Sequence, residues 1–377
     1  SVFRGVVDRH LPRSYASDFN PGGQSIGRLD ARCVQSETSV GPALVSTSHA
    51  SLLEISDLKV EFPTRRGTLV AVNGVSFNIE SGEVLGLVGE SGAGKSMTGN
   101  AIIGLLEAPG RIAGGAIRLA GRRIDDLPYE EMRKIRGREI GAIFQDPLTS
   151  LNPLYTIERQ LVETMMTHLG ISKGKARERA IELLHEVGIP SAGERIHHYP
   201  HQFSGGMRQR VVIALALCSD PKLIIADEPT TALDVSIQAQ IIGLMKKLCR
   251  DYQTAILLIT HDMGVIAETA DRVAVMYAGR VVEIGPVRDV VRRGQHPYTT
   301  GLMGSIPKIG DDVEHLSQID GAMPGLTEVP SGCAFHPRCG VAMAVCRQDT
   351  PILQRCEHTE VACWQVVNAR TEPKGET

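Results

Sequence analysis

Apolar residues fall into short runs bounded by polar turns from Leu52 onward. Leu52–Ile55, Leu58–Phe62, Leu69–Val72 and Val75–Ile79 predict β-strands. Glu83–Val88 is a near-continuous apolar run, the pattern of a strand buried on both faces. A Gly-rich turn and a helix over Ser96–Leu106 follow, and Arg111–Ile124 reads as another small β unit punctuated by Gly114, Gly115 and Gly121. Helical spacing runs from 156 to about 190, through Ile157, Leu161 and Met165 and then Ala180, Leu183, Leu184 and Val187. Ser204 opens a helix that runs through Ala216, and Leu223–Ala226 is a second buried strand. Ile237–Leu248 is an amphipathic helix, Ala255–Thr260 a third buried strand, and Arg272–Met276 with Val281–Ile284 a hairpin. Strands alternating with helices imply an α/β core around a parallel sheet.

The two ends break this pattern. Residues 1–50 lack sustained periodicity and predict a disordered extension, with too many acidic residues for a transit peptide. Beyond Pro286 the periodicity loosens and Pro and Gly recur. At 377 residues the chain is long for one domain, and 42% hydrophobic with 22% charged residues is a globular composition. A net charge of −3 with scattered basic pairs (Arg122/Arg123, Lys246/Lys247, Arg292/Arg293) argues against a general nucleic-acid binder. The longest apolar runs, Val211–Cys218 and Ala255–Ile259, fall short of the roughly 20 residues that span a bilayer, so a soluble protein is expected. Five of the eight cysteines fall between Cys333 and Cys363, which points to a local metal or cofactor device.

Gly89-Glu90-Ser91-Gly92-Ala93-Gly94-Lys95-Ser96 fits G-x-x-x-x-G-K-[ST] between a buried strand and a helix. Backbone N–H groups freed by the glycines converge on phosphate oxygens, Lys95 reaches the β- and γ-phosphates, and the Ser96 hydroxyl ligates Mg²⁺. No G-x-G-x-x-G register fits, which excludes a dinucleotide fingerprint. Leu223-Ile-Ile-Ala-Asp227-Glu228 supplies a second strand that ends in an acid for Mg²⁺ and an acid placed to polarise water. Ser204-Gly205-Gly206 opens a helix as an N-cap followed by exposed backbone, a second anion cradle better suited to a partner's nucleotide.

Together these residues resemble the ATP-binding subunit of an ABC transporter over about Leu52–Gly285. The resemblance implies a P-loop NTPase fold: an α/β, RecA-like core with an antiparallel β subdomain and a helical subdomain at about 149–213. It divides the chain into an extension (1–50), an ATPase domain (51–285) and a C-terminal Cys-rich extension (286–377). It makes Gly89–Ser96 the Walker A loop, Asp227 the Walker B aspartate and Glu228 the catalytic glutamate. Ser204 to Met207 resembles the signature motif, with Phe203 where Leu is usual and Met207 where Gln is usual. Gln145 matches the Q-loop, which joins Ser96 and Asp227 around Mg²⁺. Thr231 to Asp234 resembles the D-loop, and His261 the switch histidine at the γ-phosphate. Phe62 sits where an aromatic stacks on adenine, and a β-strand core role suits it nearly as well. His197, His198 and His201 cluster locally, but they lie in what resembles family loop sequence rather than a metal site.

Gln145-Asp-Pro-Leu-Thr-Ser-Leu-Asn-Pro153, His296-Pro-Tyr-Thr299, Ser305-Ile-Pro and Pro324-Gly-Leu resemble the oligopeptide/dipeptide (and nickel) importers. In that branch Cys333, Cys339, Cys346 and Cys363, spaced C-x5-C-x6-C-x16-C, imply a [4Fe–4S] cluster, while tetrahedral zinc fits the same thiolates. Cys356 leaves the fourth ligand ambiguous. The implied partners are a second ATP-binding subunit, self or sister, two membrane-spanning permease subunits and, indirectly, a solute-binding protein, with no nucleic acid. The implied place is the cytoplasmic face of a bacterial inner membrane, and the implied reaction is hydrolysis of ATP with Mg²⁺. A soluble ABC-type ATPase outside transport is the alternative class, disfavoured by the single cassette and the absence of a basic face.

Overall fold

The computed structural model describes residues 51–231, 233–305 and 318–368. The extension expected over 1–50, with Cys33, and the Ile-Pro of Ser305-Ile-Pro lie outside the described residues.

The first half of the chain supplies β1 (Leu53–Thr64), β2 (Gly67–Ile79), β3 (Val84–Val88), β4 (Arg111–Leu119), β5 (Arg122–Arg123) and β6 (Ile140–Ile143). The second half supplies β7 (Leu223–Asp227), β8 (Ala255–Thr260), β9 (Arg272–Tyr277), β10 (Arg280–Pro286), β11 (Gln354–Cys356) and β12 (Thr359–Val361). They form an antiparallel sheet in the order β2-β1-β4-β5 and a larger sheet in the order β11-β12-β10-β9-β3-β8-β7-β6. Within the larger sheet β9, β3, β8, β7 and β6 run parallel, while β10, β12 and β11 add antiparallel edges. The expected parallel sheet is therefore the centre of a mixed one.

Burial explains the continuous apolar strands. Val84 and Val88 point into a core shared with the helices, whereas Leu85 and Leu87 point into a core shared with the antiparallel sheet. Ile256/Leu258 against Leu257/Ile259, and Ile224/Ala226 against Leu223/Ile225, repeat the same alternation. Both faces are dry, so the period of two vanishes from the hydropathy pattern.

Several predicted boundaries shift for identifiable reasons. The four short runs of 52–79 are two long strands, because the polar breaks are bulges: Asp57 has φ 48° and Gly74 φ 75° inside continuous pairing. The helix expected to reach Leu106 spans Lys95–Ile102 and stops before Gly104, at φ 63°. The region 156–190 splits into helices Ile157–Leu169 and Lys173–Glu186, separated at Gly170 with φ 66°. Helices Gly205–Leu217 and Val235–Tyr252 extend slightly beyond their predicted ends. Periodicity loosens beyond Pro286, yet the tail's hairpin β11–β12 joins the main sheet through Glu283↔Val361 and Ile284↔Glu360.

Candidate active site

Four neighbouring parallel strands bring the motifs together. In the order β3-β8-β7-β6, their carboxyl ends carry Gly89, His261, Asp227 with Glu228, and Gln145 respectively. The registers Val88↔Thr260, Asp227↔Ile259 and Ile143↔Ala226 set these ends level with one another. A ligand site outside the carboxyl ends of an open parallel sheet is the general location in α/β folds.

The loop after β3 has the backbone its glycines permit. Gly89 adopts φ 152°, and a Cβ there would lie 2.3 Å from the Met276 carbonyl oxygen; Gly94, at φ 99°, would meet the Ala71 carbonyl at 2.6 Å. Gly92, at φ 85°, faces nearly open space, while Ser91 is exposed and Ala93 is buried. Lys95 is buried and donates from Nζ to the carbonyls of Gly89 (2.8 Å) and Glu90 (3.0 Å). Burial holds its ammonium pKa below the usual value, against the opposing pull of Glu228, Asp227 and Glu90. In this state the lysine satisfies loop carbonyls, and a phosphate would compete for the same three donors.

Ser96 Oγ donates to Asp227 Oδ1 at 3.1 Å. Burial raises the Asp227 pKa, the Ser96 hydroxyl opposes it, and the neighbouring Glu228 charge adds to the rise. A partly desolvated carboxylate facing a hydroxyl is an all-oxygen donor set that suits Mg²⁺.

Glu228 is the hub. Its Oε2 accepts from Gln145 Nε2 (2.9 Å) and Thr231 Oγ1 (2.9 Å), and its Oε1 lies 3.0 Å from His261 Nδ1. Its own N–H donates to the Ile259 carbonyl, and its backbone sits at φ 47°, a left-handed conformation that costs a non-glycine residue about 1 kcal/mol or more. Burial alone would raise this carboxyl, but the hydrogen bonds from His261 and Thr231 and the charges of His261 and Lys95 hold it below its ordinary value. It is therefore an ionised base at neutral pH.

Other predicted residues stand in different relations to this hub. Asp234 is exposed and precedes helix Val235–Tyr252 as its N-cap residue. Ser204 caps helix Gly205–Leu217 by accepting from the Met207 N–H at 3.4 Å. Gly206 is required for packing as well, since a Cβ there would meet Ile237 Cγ2 at 2.8 Å. Phe62 lies in β1, half-buried against the antiparallel-sheet core, with its ring edge over Gly110. The three clustered histidines take separate partners: His197 pairs with Glu158 at 2.8 Å, His198 packs edge-on to Phe203, and His201 stacks on Tyr199.

Buried thiols of the tail lie within one another's electric field. Burial pushes the Cys333 thiol up to about 11, and the neighbouring Cys346, Cys363 and Cys339 add to the rise. Cys339 and Cys363 are raised by burial and then by the other thiols in the same way. Cys356 is buried in β11 beside Val361 and Cys363. Among the described residues no group of three or more His, Cys, Asp or Glu side chains is arranged to hold a metal ion.

Sequence reasoning missed two residues that touch the loop. Tyr298 is fully buried, and its hydroxyl accepts from the Glu90 N–H at 2.9 Å. Arg338 Nη1 lies 3.1 and 3.0 Å from the two Glu90 carboxylate oxygens. The His-Pro-Tyr motif pointed to Tyr298 as a branch mark, but nothing local signals a contact so distant in sequence.

A phosphate loop, a Ser–Asp pair and a glutamate hub on adjacent strand ends define a P-loop ATPase of the ATP-binding-cassette class. Residues 72–231 match the ABC transporter family profile, and residues 282–346 match the oligopeptide/dipeptide transporter C-terminal region. The chain is 50% identical over 301 residues to the oligopeptide transport ATP-binding protein OppD of Salmonella typhimurium, covering 80% of this chain and 90% of that one. It is 49% identical over 316 residues to the dipeptide transport ATP-binding protein DppD of Bacillus subtilis, covering 83% and 94%. A solved ATP-binding cassette, a dimer in a post-hydrolysis state bound to ADP and Pi, superposes with a TM-score of 0.57 at 30% identity, covering 63% of this chain and 99% of that one. The chain belongs to the ABC transporter family, in its oligopeptide/dipeptide branch, and is an ATPase.

Proposed function

We propose that this ATPase powers import of peptides, dipeptides or oligopeptides, as a peripheral subunit on the cytoplasmic face of a bacterial inner membrane. The observation that carries the reading is the convergence of Gln145, Thr231 and His261 on Glu228, beside a phosphate loop. Identity near 50% to oligopeptide and dipeptide transport subunits supports the cargo class. No helix among the described residues is long and apolar enough to cross a membrane. The proposed partners are two membrane-spanning permease subunits fed by a solute-binding protein.

In the proposed cycle the loop from Gly89 to Ser96 wraps the phosphates, and Lys95 exchanges its loop carbonyls for phosphate oxygens. Ser96, Asp227 and Gln145 would hold Mg²⁺, which would neutralise charge on the phosphates. Glu228 accepts a proton from the attacking water, and His261 turns from Glu228 to the γ-phosphate. Ser204, Gly205 and Gly206 of a second ATP-binding subunit, with Asp234 lining the junction, close the site in a head-to-tail dimer. Release of Gln145 and His261 from Glu228 is the local event that couples nucleotide to closure. Phe62 is assigned to the adenine.

Cys333, Cys339, Cys346 and Cys363 are proposed to take a [4Fe–4S] cluster, with zinc as the alternative. Their mutual field and soft donor chemistry support the set, and loading would have to accompany deprotonation of buried thiols. Iron, sulfide and zinc analysis of anaerobically purified protein decides between them. The transport reading is tested by identifying the proteins that co-purify from detergent-solubilised membranes. Permeases and peptide uptake lost on Lys95→Ala are expected; recovery with ribosomes or DNA and no permease would contradict it.

A further inference from the structure

The residue at position 90 is an electrostatic problem. Glu90 lies inside a loop built to bind phosphates, and its carboxylate is only partly exposed, at 28% of the side chain. An unpaired negative charge there would repel a nucleotide carrying several of its own. The compensating cation comes from the far end of the chain, 248 residues away. Arg338 Nη1 is 3.1 and 3.0 Å from the two carboxylate oxygens, and the arginine side chain is only 7% exposed.

Arg338 is fixed from every side. Nε donates to the Asp320 carbonyl at 2.8 Å, Nη2 to the carbonyls of Ile319 and Gly321 at 3.3 Å each, and Nη1 approaches the Tyr277 hydroxyl at 3.4 Å. Tyr277 packs edge to face with Tyr298 and Phe335, at ring centroids 4.7 and 5.2 Å, and Arg338 Cζ lies 5.8 Å from the Tyr277 ring and 5.9 Å from that of Phe335. A guanidinium held by three backbone carbonyls and a carboxylate at once is fixed in position and orientation.

We propose that Arg338 is a positioning residue of the ATP site, a built-in counter-ion through which the C-terminal region neutralises Glu90 and sets the phosphate loop for nucleotide. Tyr298 completes the clamp by taking the Glu90 N–H. The C-terminal region is thereby part of the nucleotide site. Arg338 also closes the short turn His336–Arg338, between Cys333 and Cys339, so the fold of the cysteine region fixes where the counter-ion stands. The inference rests on the assignment of Gly89–Ser96 as the ATP phosphate loop.

The test is equilibrium binding of ATP, with Mg²⁺, to the full-length chain carrying Arg338→Ala, Arg338→Lys, Glu90→Gln with Arg338→Ala, or Lys95→Ala. Arg338→Ala should raise the Kd and KM for ATP about tenfold while kcat at saturation stays within about twofold. Arg338→Lys, which keeps the charge but not the fork, should fall between. Adding Glu90→Gln to Arg338→Ala should restore the Kd to within about twofold of wild type, since the unpaired carboxylate is gone. A purely structural role for Arg338 predicts no such rescue. Unchanged binding in Arg338→Ala, or weakened binding that Glu90→Gln leaves uncorrected, would overturn the proposal. Lys95→Ala separates the two layers: wild-type ATP affinity in that variant overturns the loop assignment itself, whatever Arg338 does.

Discussion

Two polar clusters flank the same phosphate loop and are built in opposite ways. Around Glu228 the contacts are single side-chain hydrogen bonds, and His261 is 62% exposed. Around Glu90 the arginine is 7% exposed, gripped by backbone carbonyls and flanked by the rings of Tyr277 and Phe335. Water can replace a partner in the first cluster at little cost, so its bonds are free to be exchanged when nucleotide arrives. In the second cluster a lost partner strands a buried charge, so the arrangement persists. The residues that must move are open to solvent, and those that must hold still are buried.

That contrast can be broken experimentally, beginning with the rigid side. Tyr298→Ala removes a fully buried ring from between Tyr277 and Phe335 and should cost about 3–5 kcal/mol of stability, read from urea unfolding. If it cost no more than an exposed substitution, the cluster would not be the anchor described. On the mobile side, His261→Ala should lower kcat about 100-fold with ATP affinity little changed and unfolding unaltered. A large loss of stability there would erase the distinction between the clusters.

His296 provides a smaller, pH-dependent check. It is buried beside Tyr298, and burial pulls its pKa from 6.5 to about 4. The unfolded chain therefore takes up this proton near pH 6.5 while the folded chain refuses it until about pH 4, so stability falls as pH drops through that window. Glu283, whose oxygens accept from the Gln295 and His296 N–H groups, is raised by burial and titrates in the opposing sense. His296→Gln should flatten the acid decline of the melting temperature, and an unchanged slope would remove His296 from the account. The smallest effect is that of Tyr298→Phe, which keeps the ring and loses only the hydroxyl that accepts from Glu90. About 1 kcal/mol is expected from chemical denaturation, and a loss as large as that of the alanine variant would mean the ring packing contributes little.

The mobile cluster was largely legible in the sequence and the rigid one was not. Gly89, Asp227 and Glu228 announce themselves because each follows or ends a short apolar run, and parallel pairing brings such ends together; Lys95 is marked by the G-x-x-x-x-G-K-[ST] loop, and His261 by resemblance. Gln145 depended on resemblance, since β6 has four residues and its end carries no distinctive local pattern. Arg338 and Glu90 were both visible as residues, but their pairing depends on the tail folding back against the sheet. That return is written in two three-residue strands too short to show a period, β11 and β12. The cysteine spacing was legible too, yet spacing does not convey that burial raises the pKa of the Cys333 thiol. The bulges at Asp57 and Gly74 were misread as strand ends because a polar residue inside a strand looks like a turn until its pairing is known.

The central claim is that Glu228, held ionised by His261, Thr231 and Lys95, is the base for hydrolysis. Single-turnover hydrolysis and ATP binding of Glu228→Gln, measured on the same full-length preparation, test it most directly. The amide keeps only the hydrogen bonds its single oxygen can accept and cannot take the proton, so chemistry should slow about 1,000-fold while ATP stays bound and the closed dimer accumulates. Hydrolysis at the wild-type rate in that variant would contradict the account.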